Sequence, residues 1–209
     1  MKNHIAPKPA VAAMAKAENA YHHGDLRAAL IAAAREVLET VRPEEISLKS
    51  LALRLGVSQP APYRHFANRD ALLAAVAADG FERFHKAVAA ARDEAGGNEA
   101  FLKSCLAYLE FARANHGVYR LMFASQVLHE AEDEALNRAS SAAFDFLLEG
   151  VAKTAPPERV RAIAVWIWST LHGLAMLEAE GLAGGPPSGD MSPEAVVREM
   201  MATLAGRGG

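Results

Sequence analysis

Between Ser47 and Phe66 the chain reads SLKSLALRLGVSQPAPYRHF. Leu48, Leu51 and Leu55 recur at the spacing of a short helix, which Gly56 is placed to stop. Ser47 stands where a helix N-cap belongs, and Ser58 offers a second cap for another short run to about Phe66. Two helices of about two turns each, joined by Gly56-Val57-Ser58, describe a helix-turn-helix. Gly56 can take the left-handed backbone conformation that ends the first helix without a Cβ penalty. Leu51, Leu55 and Val57 supply the apolar contact between the two helices.

The second helix of such a pair places its N-terminal residues in a DNA major groove. Gln59 can pair bidentately with adenine, and Ala61 with the ring of Pro62 offers small apolar surface to a thymine methyl. Ser58 sits at the head of that helix. Tyr63 and His65 can donate to phosphates. Arg69, at the start of the next helix, adds a cation and free backbone N–H groups, and Ser47 and Lys49 do the same at the start of the first. Pro60 and Pro62 weigh against a regular helix, although both fall near its first turn, where few N–H bonds are lost. A plain helical hairpin with solvated polar residues has the same two-helix pattern.

Outward from this pair, the rest of the chain also reads as helix. Leu26, Leu30, Ile31, Ala34, Val37 and Leu38 recur at helical spacing behind Asp25, and Pro43 ends that run. Asn68 caps a long run from Arg69 to about Ala95, stopped by Gly96-Gly97-Asn98. Further helices are expected over 99–114, 118–125, 130–154, 157–181 and 193–204. Asn115-His116-Gly117, Ala155-Pro156-Pro157 and 184–192 are the breaks between them. No stretch has the period-2, β-branched pattern of a strand. The expectation is an all-α fold of nine or ten helices: a three-helix helix-turn-helix domain and a C-terminal helical bundle. Residues 1–20 read as a flexible arm, 21–68 as the helix-turn-helix domain, 69–95 as a linking helix and 96–209 as a ligand-binding and dimerisation domain.

Composition narrows the function. The 209 residues include 45 Ala, the best helix former, and a single cysteine, Cys105. One cysteine forms no disulfide framework within a chain and no Cys-based zinc site, and fits a reducing cytosol. Cys105 itself reads most simply as a small buried hydrophobe. No uncharged apolar run reaches about 18 residues, so no membrane span is expected. The net charge of −3 hides an asymmetry: residues 1–70 carry 10 Lys+Arg against 7 Asp+Glu, and 71–209 carry 12 against 18. A basic head on an acidic body is what a nucleic-acid contact leaves in a sequence, and also what ordinary scatter leaves.

Residues Tyr21 to about Phe84 resemble the DNA-binding domain of the tetracycline-repressor (TetR) family. The resemblance rests on LALRLGVSQPAPYRHFANRDALL: a helix, GVS, a Tyr-x-His-Phe end, then a capping Asn, a basic residue and Leu-Leu. It implies Tyr63 and His65 as the phosphate-binding pair, Gln59 and Ala61 as base readers, and Arg69 where the family usually has Lys. The stretch Pro60-Ala61-Pro62 departs from the Gly or Ser-Thr types common there and leaves the base preference open. The opening YHHGDLRAALIAAA and the later WIWSTLHGLAMLEAEG resemble a subgroup named for a Trp-His-Gly motif, here Trp168, His172 and Gly173. The resemblance places His22 and His23 near the DNA backbone or minor groove, a solvated loop being the alternative; no third ligand of fitting spacing makes them a metal site.

The 157–181 helix is apolar nearly all round, so it is expected to be covered on more than one side. Its Trp168, Leu171, Gly173 and Ala175, with Phe144 and Leu148 on the preceding helix, are candidates for a four-helix dimer interface. Tyr108, Phe111, Met122, Phe123, Trp166 and His172 are candidates for a ligand pocket, and equally for plain core. No Gly-rich phosphate loop, paired Glu-x-x-His or Cys/His dyad is present, so no cofactor, metal or catalytic residue is assigned. The expected function is that of a cytoplasmic homodimeric transcriptional repressor, released from a palindromic DNA operator by a small molecule. The alternative is an all-α ligand-binding protein or enzyme without DNA. A non-specific architectural DNA binder would be far more basic.

Overall fold

A computed structural model describes residues 25–96, 99–124, 133–183, 189 and 192–206. Among them are eight α-helices and three short 3-10 turns, with no strand. We number the helices α1 (Leu26–Leu38), α2 (Leu48–Arg54), α3 (Arg69–Ala95), α4 (Ala100–Ala114), α5 (His116–Ala124), α6 (Glu134–Ala152), α7 (Val160–Ala179) and α8 (Pro193–Gly206). The expected arm, His22 and His23 lie outside the described residues.

Local chemistry sets the boundaries. Asp25 caps α1 by accepting from the Ala28 amide at 3.0 Å, Asn68 caps α3 from Ala71 at 2.8 Å, and Asp133 caps α6 from Leu136 at 2.9 Å. The end of α2 is a Schellman motif. Gly56 has φ +67°, the Val57 amide donates to the Ala52 carbonyl at 3.0 Å, and the Gly56 amide donates to Leu53 at 3.2 Å.

The second helix of the expected pair is where the structure departs from the reading. Residues 58–61 form a turn, and only Pro62–Arg64 coil, as 3-10. Prolines at 60 and 62 bring no N–H, so the first α-type bond, from residue 62 to Ser58, cannot form. Bonds of the tighter kind replace it: Ala61 N–H to Ser58 at 2.9 Å, Arg64 to Ala61 at 3.2 Å and His65 to Pro62 at 3.0 Å.

A continuous buried cluster runs from Leu30 in α1 to Met200 in α8. Leu30, Leu51, Phe66, Leu72 and Leu73 join α1, α2 and the 3-10 turn to the start of α3. Losing one of these, as in Leu51→Ala, would cost about 2–5 kcal/mol. Further along, Phe81, Phe84 and Val88 of α3 are buried in the same cluster as residues of α4, α6 and α7. At about 1.5 Å per residue, α3 is roughly 40 Å long and belongs to both halves. Arg35 of α1 pairs with Asp79 of α3 at 3.1 Å, half-exposed and worth at most about 1 kcal/mol.

The segment Pro157–Ala179 is long and apolar enough to cross a membrane by length and composition. Here Ala164, Ile167, Leu171 and Ala175 of α7 are buried in the bundle, while Val165, Trp168 and Leu177 remain substantially exposed.

Candidate nucleic-acid interface and ligand cavity

The edge formed by α2, the proline turn and the start of α3 carries the residues expected to meet DNA. Ser47, Lys49, Ser58, Gln59, Tyr63 and His65 are exposed, and Ala61 and Arg69 are half-buried. Pro62 is a correction. Its ring is fully buried, so it fills the core beneath the turn and offers no surface to a thymine methyl. Burying it fixes the turn and leaves its neighbours Tyr63 and Arg64 pointing outward. The Ser47 hydroxyl makes no capping bond to α2; its carbonyl accepts from the Ser50 hydroxyl at 2.8 Å. Arg69 is partly engaged: Nη1 donates to the Glu44 carbonyl at 3.0 Å and Nε to Asp70 at 3.0 Å. Its remaining N–H groups are what a phosphate could use. Arg27 of α1 lies over the Phe66 ring at 5.3 Å and ties the turn to the first helix.

A cavity of about 1230 Å³ opens between α3, α4, α6 and α7. Of the expected pocket residues, Tyr108 and Phe123 line it. Phe111 and Met122 are buried beside it, and Trp166 is on the outer side of α7, 37% exposed. Phe144, Trp168 and Leu171, expected at a dimer face, line the cavity in this chain. Ala175, expected there too, is buried inside its own chain. Leu148 is partly buried against the core, and Gly173 faces open space. The helical period identified these residues as apolar; it could not say which neighbour each one meets.

Sequence reading missed Phe81, Phe84 and Arg92 on α3 and Arg161 on α7, which also line the cavity. The signal was present. Phe81, Phe84, Val88 and Arg92 follow the three- and four-residue spacing of one helix face.

From Tyr108 on the wall, a chain of polar groups runs back into the bundle through Tyr119 and His172, neither of which lines the cavity. The hydroxyls of Tyr108 and Tyr119 lie 2.7 Å apart, and the Tyr119 hydroxyl is 2.7 Å from Nδ1 of His172. Burial pushes Tyr108 up to about 12, opposed by hydrogen bonds from Tyr119 and Trp168. Burial also raises Tyr119 well above the ordinary phenol range. Both stay protonated. Burial lowers His172, favouring a neutral ring that can accept at Nδ1. The His172 ring also lies near Phe123 and Trp168, at 5.3 and 6.5 Å. Cys105 lines the cavity, and burial pushes its thiol up to about 12, so it is held as a thiol. Among the described residues no three His, Cys, Asp or Glu side chains gather to hold a metal.

The cavity wall is joined to the head through α5. A Cβ at Gly117 would lie 2.0 Å from the carbonyl oxygen of Leu38, the last residue of α1. The Gly117 amide donates to the Glu39 carboxylate at 3.0 Å. At Gly80 a Cβ would meet Val118 and Met122, each at 2.8 Å, so α5 also lies tight against α3. Tyr119 and Phe123, on the same short helix, belong to the polar chain and the cavity.

Known proteins share this fold. Residues 30–76 match the bacterial regulatory proteins of the tetR family, and residues 101–204 match a tetracyclin repressor-like C-terminal domain. The class C tetracycline repressor protein of Escherichia coli is 37% identical over 98 residues, covering 44% of this chain and 44% of that protein. The match thus spans less than half the length of this curated relative. A solved structure of a Rhodococcus sp. RHA1 protein of unknown function is 33% identical, with a TM-score of 0.75, over 90% of this chain and 97% of that one. The fold is also that of a TetR variant from Acinetobacter baumannii AYE in complex with minocycline, at 22% identity and a TM-score of 0.57, over 86% and 96% of the two chains. With matches to both its head and its body, the chain belongs to the tetR family of bacterial regulatory proteins.

Proposed function

We propose that this protein is a sequence-specific DNA-binding transcriptional regulator, a repressor released from a palindromic operator by a small molecule bound in the α3–α4–α6–α7 cavity. Residues 21–68 read DNA, 69–95 link, and 96–209 bind ligand and dimerise; the place of work is the cytoplasm. The observation that carries this reading is the Gly117 joint. A single nine-residue helix, α5, touches the end of α1 at one end and reaches the cavity through Phe123. A ligand that favours one position of α5 therefore favours one position of α1. It shifts the equilibrium only by its different affinity for the two states. Tyr63 and His65 hold phosphates, and Gln59 reads bases from an exposed turn.

The second copy covers the outer face of α7. Trp166 and Leu177 are 37% and 45% exposed, and a Cβ at Gly173 meets nothing within 4 Å. Apolar side chains around an empty glycine on a helix this apolar suit close approach of another backbone. Trp168 and His172, in ring contact at 6.5 Å, with Gly173 beside them, support placement in the Trp-His-Gly subgroup.

Gly173→Glu tests the dimer and the DNA reading together. The space around Gly173 lets one chain accept the side chain, whereas a dimer face would bury the charge. Sedimentation should show wild type as a dimer and the variant as a 22.3 kDa monomer of unchanged helix content. The variant should bind duplex DNA at least about tenfold more weakly, because half the contacts are lost. A monomeric wild type, or a monomeric variant with undiminished DNA binding, would contradict the dimeric reading.

A further inference from the structure

We infer that the cavity takes an amphipathic organic anion, with an elongated aromatic or aliphatic body among the rings and a carboxylate at the end bearing Arg92, Lys153 and Arg161. This rests on the reading of the cavity as the effector site.

The cavity is polarised along α7. Arg161 stands in the first turn and Trp168 two turns further on, so about 10 Å along the helix separates the cation from the ring. Phe81, Phe84, Phe123, Phe144 and Trp168 line the apolar part. Arg92, in the last turn of α3, Lys153, just past the end of α6, and Arg161 line the same cavity from three different elements.

Lys153 and Arg161 are exposed, and Arg92 is half-buried and already engaged within the chain. Neither Lys153 nor Arg161 takes part in any ion pair among the described residues. Arg92 lies 3.8 Å over the Phe146 ring, which fixes its guanidinium from one side. Its acidic contact, Asp93 at 3.4 Å, is long and 73% exposed. Two acids, Asp93 and Asp145, face three cations on the wall. Asp145 is near the middle of α6, roughly 12 Å along the helix from Lys153. A cationic ligand would meet the excess positive charge. A neutral one would leave the cations unmatched. A carboxylate accepts from an arginine fork bidentately, and an apolar body displaces water from the rings.

The test uses ω-phenyloctanoate, its uncharged amide and the corresponding ω-phenyloctylamine, each titrated calorimetrically into the full chain. The acid should bind about tenfold or more tightly than the amide, the usual margin for a hydrogen-bonded charge, and the amine should bind weakest. Lys153→Met with Arg161→Met, which keeps Arg92, should reduce the preference for acid by weakening the acid more than the amide. Equal binding of acid and amide, tighter binding of the amine, a preference undiminished in the double variant, or binding of none of the three would overturn the inference. DNA affinity is measured in the same samples. Acid that binds selectively without changing DNA affinity keeps the anion site and removes its regulatory role. Acid and amide that bind equally and both release DNA keep the regulator and overturn the anion.

Discussion

Gly117→Ala is a one-methyl change that should act on the joint between the two halves. Its Cβ would sit 2.0 Å from the Leu38 oxygen, 2.4 Å from the Leu38 carbonyl carbon and 2.8 Å from the Glu39 nitrogen. All three are backbone atoms, so no side chain can swing aside. Ordinary contact begins near 3.4 Å, and α5 and α1 must therefore part by about 1.4 Å. Overpacking of this kind costs about 1–3 kcal/mol. Moving the Gly117 amide away from the Glu39 carboxylate removes a charge-assisted bond worth about 1.5–3 kcal/mol, discounted here because Glu39 is exposed. Against this, Ala favours helix over Gly by at most about 1 kcal/mol. The clash wins, leaving a net loss of about 2–4 kcal/mol. Urea unfolding followed by circular dichroism, at one fixed protein concentration, reads it. Gly150→Ala is the control: it is also helical and meets nothing within 4 Å, so it should stabilise by about 0.5–1 kcal/mol. If Gly117→Ala were as stable as wild type, the close approach of α5 to α1, and with it the proposed transmission path, would be refuted.

Other outcomes follow from the same geometry. Tyr63→Ala should weaken binding to all duplexes about equally, by about tenfold, whereas Gln59→Ala should change preference at particular base positions. Competition with single-base operator variants separates the two, and a uniform loss for Gln59→Ala would remove its assigned role. Because burial lowers His172 below its ordinary 6.5, the unfolded chain takes up a proton first as pH falls. Its contribution to stability is complete above 6.5 and is lost as pH falls from there towards the folded value. His172→Gln should flatten that part of the urea midpoint against pH curve, and an unchanged curve would show that the ring is not buried as described.

Most of the helical framework was legible because it is written locally. Asp25 and Asn68 cap the helices they were expected to cap, and Gly56 ends α2 in the left-handed conformation its residue type favours. The second helix of the reading pair was misjudged because its length depends on a hydrogen bond to the missing N–H of Pro62. The cavity was legible only in part. Its walls come from four helices distant in sequence, and apolar spacing does not say whether Phe144 and Trp168 face a partner, a core or a void. The contact at Gly117 had no local signature at all, since a glycine beside His116 reads as a turn until α1 is brought against it.

The most direct test of the central claim is selection of bound sequences from a random duplex library at moderate salt, where non-specific phosphate binding is screened. A dimeric regulator should enrich a palindrome whose two half-sites lie on one face of the duplex, matching two copies of the Ser58–His65 turn. A folded, dimeric protein that enriches no sequence, after removal of any bound ligand, would contradict it.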